Sequence, residues 1–399
     1  MRTTTIAAGL VALLLPTLAA CADTGSEDAE AADSDTIVIG TLGAPSAMMD
    51  VMEASVEALN DAGGIGGKQV KLVSKETTME GTDGPAAVKE LIDKDGVVAI
   101  VGQTSNTDAQ WQQYAAQKGV PVIGGLNVNT PYVTNPLFFP TGSNIYAMGY
   151  GIGEVGSRYG KKVGNLYCAE SPQCASSKEF APVLDGLLGT TTDPQVEISS
   201  TASDFTAACQ ALIDAKVDTY KVAADGPVVA KVATACADQG LKARLVTADA
   251  TVRSLFADIP QLDGTVAVGS TVPFVDDSTP GTKAYQEMLA EYLPEIGGEN
   301  GPLPMNSFIA VELFKKAVEL GGTEEVTSES IIDGLYKMKD ETLGGLTVPL
   351  TFTEGRPTIV NCYFTLGIED GEFTMPEGLD YTCAPDDLIE VILKSANLA

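Results

Sequence analysis

Histidine is absent from all 399 residues, which removes Ser-His-Asp and Cys-His nucleophile systems, His-ligated zinc and imidazole proton shuttles in one step. Positive charge is scarce as well: 24 Lys and Arg stand against 54 Asp and Glu, for a formal net charge of -30 and a pI near 4.1. Phosphate backbones and anionic membrane surfaces both repel such a chain, so no nucleic-acid partner is expected. Residues 6–15 form an apolar stretch too short to span a bilayer. Neither a metal ion nor a cofactor is expected.

What is present is ordinary globular composition, 44% hydrophobic and 20% charged, in a chain long enough for two lobes with their own cores. Residues 1–20 read as an export signal: Met1 and Arg2 give a minimal basic start, and Leu18-Ala19-Ala20 precedes Cys21. A cysteine after Leu-Ala-Ala resembles the bacterial lipobox, in which the cysteine sulfur is acylated and becomes the first residue of a mature lipoprotein. Ordinary secretory cleavage beside a chance cysteine is the alternative. Residues 21–35 hold mostly Asp, Glu, Ala and Ser, too little apolar surface to fold, and are expected as a disordered acidic tether. The folded part would then stand off the outer face of the cytoplasmic membrane.

Seven cysteines leave six once Cys21 is set aside, an even number that favours disulfides in an exported protein. Six cysteines allow fifteen pairings, and local ones are expected. Cys168 and Cys174 flank a short loop, and Cys362 and Cys383 flank a hairpin. Cys209 and Cys236 sit on the apolar stripes of two successive helices, where two buried free thiols are the alternative.

Strand and helix signals alternate from residue 36 onward. Residues 36–40, 69–73, 97–101 and 120–123 read as short buried strands, with helices at 48–59, 82–92 and 107–118; Met48, Met52, Val56 and Leu59 form the apolar stripe of the first. A capped helix at 145–159 opens a second series, with strands at 162–167, 195–198, 219–224 and 244–247 and helices at 177–188, 204–215 and 226–239. Beyond residue 270 come helices at 283–292, 306–320 and 328–338, short β segments over 346–373, and a last helix at 387–395.

Such alternation means parallel sheets with right-handed crossovers, which take ligands at the carboxyl ends of their strands. The loops at that edge supply the candidate binding residues. In the first series they are Thr41, then Thr104, Ser105, Asn106 and Thr107, then Leu126, Asn127 and Val128; in the second they are Asp225 and Asp249. Residues 97–108 are the sharpest case, because a β-branched run stops at Gly102 and passes into Ser, Asn and Thr. A helix N-terminus there could offer unpaired N–H groups to a carboxylate. Asp225 and Asp249 are each either a helix cap or a partner for a cationic ligand group.

Two glycine motifs fail their nucleotide readings. Around Gly63, Gly64, Gly66 and Gly67, Ala62 replaces the first phosphate-loop glycine, Gln69 replaces the Ser or Thr after Lys68, and a helix comes before the loop where it should come after. Turn chemistry explains them. Gly151-Ile152-Gly153-Glu154-Val155-Gly156 is a literal GxGxxG, but a helical cap separates it from the preceding strand, so close helix packing is the better account.

Several pieces, in order and spacing, carry a family resemblance: Glu57-Ala58-Leu59-Asn60-Asp61-Ala62-Gly63-Gly64-Ile65-Gly66-Gly67-Lys68, Lys89-Glu90-Leu91-Ile92, Ala99-Ile100-Val101-Gly102, Gly119-Val120-Pro121-Val122-Ile123 and Ser307-Phe308-Ile309-Ala310-Val311-Glu312-Leu313. Over nearly all of the mature chain the sequence resembles the type I periplasmic substrate-binding proteins of ABC transporters, in the branch of the branched-chain amino acid receptors. The resemblance implies an α/β fold of two Rossmann-like lobes with parallel central sheets, joined by a three-crossover hinge. Lobe 1 would be residues 36–140 plus 271–345, and lobe 2 residues 141–270 plus 346–399.

A small-molecule ligand would lie in the interlobe cleft, no bond would be broken, and a monomer would deliver it to a membrane permease. By the same resemblance Thr104 to Thr107 hold a ligand carboxylate and Asp249 its ammonium. Three features depart from the pattern. Asn106 intrudes among the hydroxyls, Leu126-Asn127-Val128 is bulky, and residues 169–174 lack the aromatic clamp, for which Trp111 could substitute if it is not core. A small polar solute, such as an amino acid or a related amide or carboxylate, is expected. A sensing lipoprotein without transport and a dinucleotide-binding enzyme are the alternatives.

Overall fold

A computed structural model of the chain describes residues 36–79, 81–170 and 172–395; the expected signal, the tether and Cys21 lie outside the described residues. The first series of elements runs β1 (Thr36–Gly43), α1 (Ala47–Asp61), β2 (Gln69–Glu76), α2 (Gly84–Asp93), β3 (Ala99–Gln103), α3 (Asp108–Gln117), β4 (Val122–Gly125), α4 (Pro131–Thr134) and β5 (Phe138–Phe139). These strands form one parallel sheet in the order β2-β1-β3-β4-β5. The α1 stripe packs as the spacing predicts, with Met48, Met52, Val56 and Leu59 all buried. Each such side chain contributes roughly 1.5–3 kcal/mol. The glycines of the turn after α1 adopt positive φ, and a Cβ on Gly64 would collide with the Lys68 carbonyl, which bears out their reading as turn chemistry.

The second series runs α5 (Ile145–Tyr159), β6 (Lys162–Cys168), α6 (Pro172–Leu188), β7 (Thr191–Ile198), α7 (Thr206–Ala215), β8 (Thr219–Ala223), α8 (Gly226–Asp238), β9 (Arg244–Ala248) and β10 (Val266–Gly269). Then follow α9 (Pro280–Tyr292), α10 (Pro302–Gly321), α11 (Ser328–Tyr336), β11 (Cys362–Glu369), β12 (Glu372–Thr374), β13 (Thr382–Cys383) and α12 (Asp386–Ser395). The second sheet has the order β12-β11-β10-β9-β8-β6-β7, with β13 paired to β11.

The centre of this sheet, β10-β9-β8-β6-β7, is parallel as expected, and antiparallel strands added at one edge make the sheet as a whole mixed. Strand β11 re-enters beside β10 from the opposite direction and folds back through the Asp370-Gly371 turn into β12. Residues 346–361 contain no strand, only a bridge between Glu341 and Leu350; Pro349 and Pro357 each remove a ladder donor there. Strand β7 starts earlier than its sequence signal because Pro194 is tolerated at a sheet edge.

All three expected disulfides form, Cys168–Cys174, Cys209–Cys236 and Cys362–Cys383, and no free thiol pair is left in α7 and α8. The GxGxxG helix is α5, and its glycines do pack closely: a Cβ on Gly151 would stand 2.8 Å from Val268 and 3.0 Å from the Tyr363 ring.

Helices α9 and α10 return to the first sheet and pack on α1. Phe352 meets Phe139 edge-on with 5.3 Å between ring centroids, so the chain stays with the first sheet to at least that residue. The three passages between the sheets lie against one another. Ser143 donates its N–H to the Ser270 carbonyl at 3.3 Å, and the Asn144 side chain donates to the Val360 carbonyl at 3.0 Å.

Candidate functional site

At the carboxyl edge of the first sheet, the hydroxyl-rich turn after β3 closes on itself. The Ser105 N–H donates to Gln103 Oε1 at 2.8 Å, Ser105 Oγ and Thr107 Oγ1 share a hydrogen bond of 2.5 Å, and the Thr107 N–H donates to Ser105 Oγ at 3.0 Å. Asp108, in the first turn of α3, accepts from the Ala109 N–H at 3.0 Å and from Gln103 Nε2 at 3.4 Å. The positive end of α3 is therefore already occupied by the protein's own carboxylate. Burial pushes that carboxyl up to about 7 against the opposing pull of the Asn129 and Ala109 hydrogen bonds.

Thr41, Thr104, Ser105 and Thr107 are all buried, and none lines the cavity between the sheet edges; Thr41 Oγ1 spends its proton on the Gly102 carbonyl. Trp111 is 1% exposed, stacks on Phe138, and donates its indole N–H to Thr107 Oγ1 at 3.2 Å. It is core, not a stacking surface for a ligand.

A cavity of about 660 Å³ opens between the two sheet edges. From the first edge it takes Asn106, Leu126, Asn127 and Val128, four of the residues expected from sequence, together with Met48 and Met79. Asn127 is also tied to the chain passage, since its side chain donates to Thr141 Oγ1 at 3.0 Å. From the second side come Asp225, which makes no side-chain cap bond at the start of α8, and a largely apolar wall from α5 and α6: Ile145, Tyr146, Met148, Tyr150, Phe180 and Leu184. Tyr146 and Phe180 meet edge-on at 5.3 Å. Cys168 and Cys174 both line the cavity, so their disulfide fixes the loop that forms part of this wall.

Asp249 is turned away. It is 3% exposed, and its carboxylate accepts the Ser270 N–H at 3.2 Å, which fastens the turn after β9 to a chain passage. Its neighbours Ala248 and Ala250 line the cavity instead. Burial pushes the Asp249 carboxyl up to about 7, with the Ser270 and Ala250 N–H groups and Arg253 acting in the other direction. The cap-like role thus applies to Asp249, while Asp225 remains available to the cavity.

Among the described residues, four charged ones line the space: Glu170, Lys221, Asp225 and Arg253. Glu170 accepts from Ser199 Oγ at 2.8 Å and from the Ser200 N–H at 3.0 Å. Arg253 donates through Nη1 to the Ala250 and Val252 carbonyls at 3.1 and 2.8 Å. Lys221 makes no hydrogen bond or ion pair among the described residues, and burial draws its ammonium down to about 8 although the Asp185 charge favours it. Among the described residues, no three His, Cys, Asp or Glu side chains gather as a metal site.

Residues 40–372 match the family model described as periplasmic binding protein. The chain belongs to the periplasmic binding protein family. Family membership sets this periplasmic binding protein outside the cytoplasmic membrane, and its fold is the type I periplasmic binding protein fold. A solute-binding protein from R. palustris, solved in complex with 4-hydroxybenzoate, superposes with a TM-score of 0.70 at 19% identity, covering 88% of this chain and 98% of that one. A fatty acid ABC transporter substrate-binding protein from Thermomonospora curvata gives 0.73 at 17%, with coverage of 89% and 94%. A leucine-binding protein from Thermotoga maritima gives 0.69 at 18%, with coverage of 88% and 99%. No curated protein matches the chain.

The sequence reading of this periplasmic binding protein missed the α5 and α6 wall and the two cations. One signal was there to find: Lys221 interrupts Thr219-Tyr220-Lys221-Val222-Ala223, a central parallel strand in which buried apolar residues are the norm. The wall residues carried no such mark, because an apolar residue that lines a cavity and one that fills a core look alike in sequence.

Proposed function

We propose that the protein is an extracytoplasmic receptor that captures a solute with a sizeable apolar body between its two sheets and delivers it to an ABC permease without chemical change. The observation that carries this reading is the 660 Å³ cavity walled by Ile145, Tyr146, Met148, Tyr150, Phe180 and Leu184. That volume lies in the range of sites for drug-sized ligands, and burying an apolar body there gains roughly 25 cal/mol per Å² removed from water. Three relatives are named for 4-hydroxybenzoate, a fatty acid or leucine, each with a carboxylate and an apolar portion, and this supports the same chemistry here. A small, wholly polar solute fits less well, since the Ser105 and Thr107 hydroxyls are bonded to each other within the turn after β3 and the Thr104 hydroxyl is buried away from the cavity.

The closing bodies are proposed as the first sheet with α9 to α11 and the second sheet with α12. The lipid on Cys21 is proposed as the membrane anchor, so Cys21→Ala should release the protein from the membrane fraction. Among the described residues no helix is long and apolar enough to cross a membrane.

A thermal-shift series tests the solute class, because a ligand that binds only the folded state raises Tm by linkage. Octanoate and 4-hydroxybenzoate should raise it, and serine, asparagine and glutamate should not. A rise with the polar amino acids alone overturns the reading.

A further inference from the structure

The cavity reaches along strand β8 as well as across the sheet edge. Lys221, Val222, Ala223, Ala224 and Asp225 all line it, and at about 3.3 Å per residue that run extends roughly 13 Å back from the edge. Lys221 stands at the inner end of this run, on the central strand between β6 and β9.

A half-buried ammonium in an apolar cavity gains from an opposite charge or a set of acceptors, and its desolvation is uncompensated without them. Lys221 has neither among the described residues. The charge that favours its ammonium is Asp185, whose carboxylate is already engaged by the Thr190 and Thr192 hydroxyls at 2.6 and 2.8 Å and by the Thr192 N–H at 2.8 Å. The other cation in the cavity, Arg253, is bonded to backbone carbonyls and has Glu299, Asp225 and Asp249 as charged neighbours. Glu170 is held by Ser199 and Ser200. Among the described residues lining the cavity, Lys221 is thus the one uncommitted cation, at the middle position of β8 and four residues back from Asp225 at the sheet edge.

We propose that Lys221 is the anchor for the anionic head of the solute, a monocarboxylate whose apolar body lies along α5 and α6 between Tyr146, Tyr150, Phe180 and Leu184. This rests on the apolar-solute reading given above and narrows it to acids. The anchor comes from the second sheet, not from the hydroxyl turn of the first. The carboxylate accepts from the ammonium as a charge-assisted hydrogen bond, which is strong where water is excluded. The aromatic edges and aliphatic groups of the wall cover the remainder.

Calorimetry on the full mature protein with matched acids and alcohols tests the assignment: octanoate against octan-1-ol, and 4-hydroxybenzoate against 4-hydroxybenzyl alcohol. The wild type should prefer each acid by about tenfold or more. Lys221→Met should abolish that preference and leave alcohol binding within about twofold, and Lys221→Arg should restore part of it. The ligand-free Lys221→Met protein should melt at the same temperature as the wild type or higher, since an unpaired, half-buried charge has been replaced by an apolar chain of similar length. Equal binding of acids and alcohols by the wild type, an acid preference that survives in Lys221→Met, or a lower ligand-free Tm in that variant overturns the role of Lys221 while the apolar-solute reading stands. If neither acids nor alcohols bind, that reading falls and the anchor falls with it.

Discussion

The turn after β3 and the turn after β8 occupy corresponding places, each leading from an inner strand into a helix at the edge of the cavity. Their chemistry is opposite. Gln103, Ser105, Thr107 and Asp108 bond to one another and bury their polar atoms. Ala223-Ala224-Asp225-Gly226-Pro227 is built of small residues, leaves Asp225 without a cap bond, and opens the way to Lys221. A hydroxyl-rich turn at a helix start is a good anion site only while its own carboxylate stays out of the first helical turn. In this protein Asp108 fills that place, and the charged groups of the cavity, Glu170, Lys221, Asp225 and Arg253, come from the other side.

The largest expected effect tests the self-contained side. Asp108 and Asp249 both have carboxyls raised by burial from 3.8 to about 7. Between about pH 4 and 7 the folded state holds these protons and the unfolded state does not, so stability is greatest at the acid side of that window and is lost as pH rises through about 7. The interval corresponds to roughly 4 kcal/mol per group as an upper bound. Asp108→Asn should raise Tm most at pH 8, less at pH 5 and little below about pH 4, and leave solute affinity alone; Asp249→Asn should do the same. Melting curves across pH read this directly, and a loss of solute binding in either variant would break the contrast.

A smaller effect tests the open side. Gly149 lines the cavity, and a Cβ there would meet nothing within 4 Å. Gly149→Leu should therefore place a side chain in the solute's space and weaken binding by about tenfold or more, while Tm holds or rises through better helix propensity worth up to ~1 kcal/mol. Gly151→Ala, two residues on, should instead destabilise by about 1–3 kcal/mol, because its Cβ meets Val268 and Tyr363. Calorimetry and melting together separate the two. The smallest effect belongs to Ser105→Ala, which should cost about 1 kcal/mol of stability with unchanged affinity.

Much of the architecture was legible because strand and helix periods are local. The α1 stripe, the α5 cap at Asn144, whose side chain accepts from the Tyr146 and Ala147 N–H groups, and the three disulfides all follow from residues close in sequence or on neighbouring helices. The antiparallel entry of β11 was not legible, since pairing direction depends on where the chain returns from the other sheet. At the site, Asn106, Leu126, Asn127, Val128 and Asp225 could be read from their place at strand ends. The direction of a side chain could not. Thr104 and Asp249 sit at the right edge, but their polar atoms turn inward, and nothing in the order of residues distinguishes a hydroxyl that meets solute from one that meets its neighbour.

The passages between the sheets are laced together by Ser143, Asn144, Ser270 and Val360, and a Cβ on Gly142 would fall within 2.1 Å of the Ser270 carbonyl oxygen. Three connectors bonded side by side resist flexing separately, so the two proposed bodies would move as a coupled pair. Asn127 and Asn306 join that lacing to the cavity itself, through Thr141 and the Gly125 carbonyl. On the proposed function, occupancy would be converted into a change of angle between the two bodies, and a membrane partner that gauges that angle would learn whether the receptor is loaded without touching what it carries.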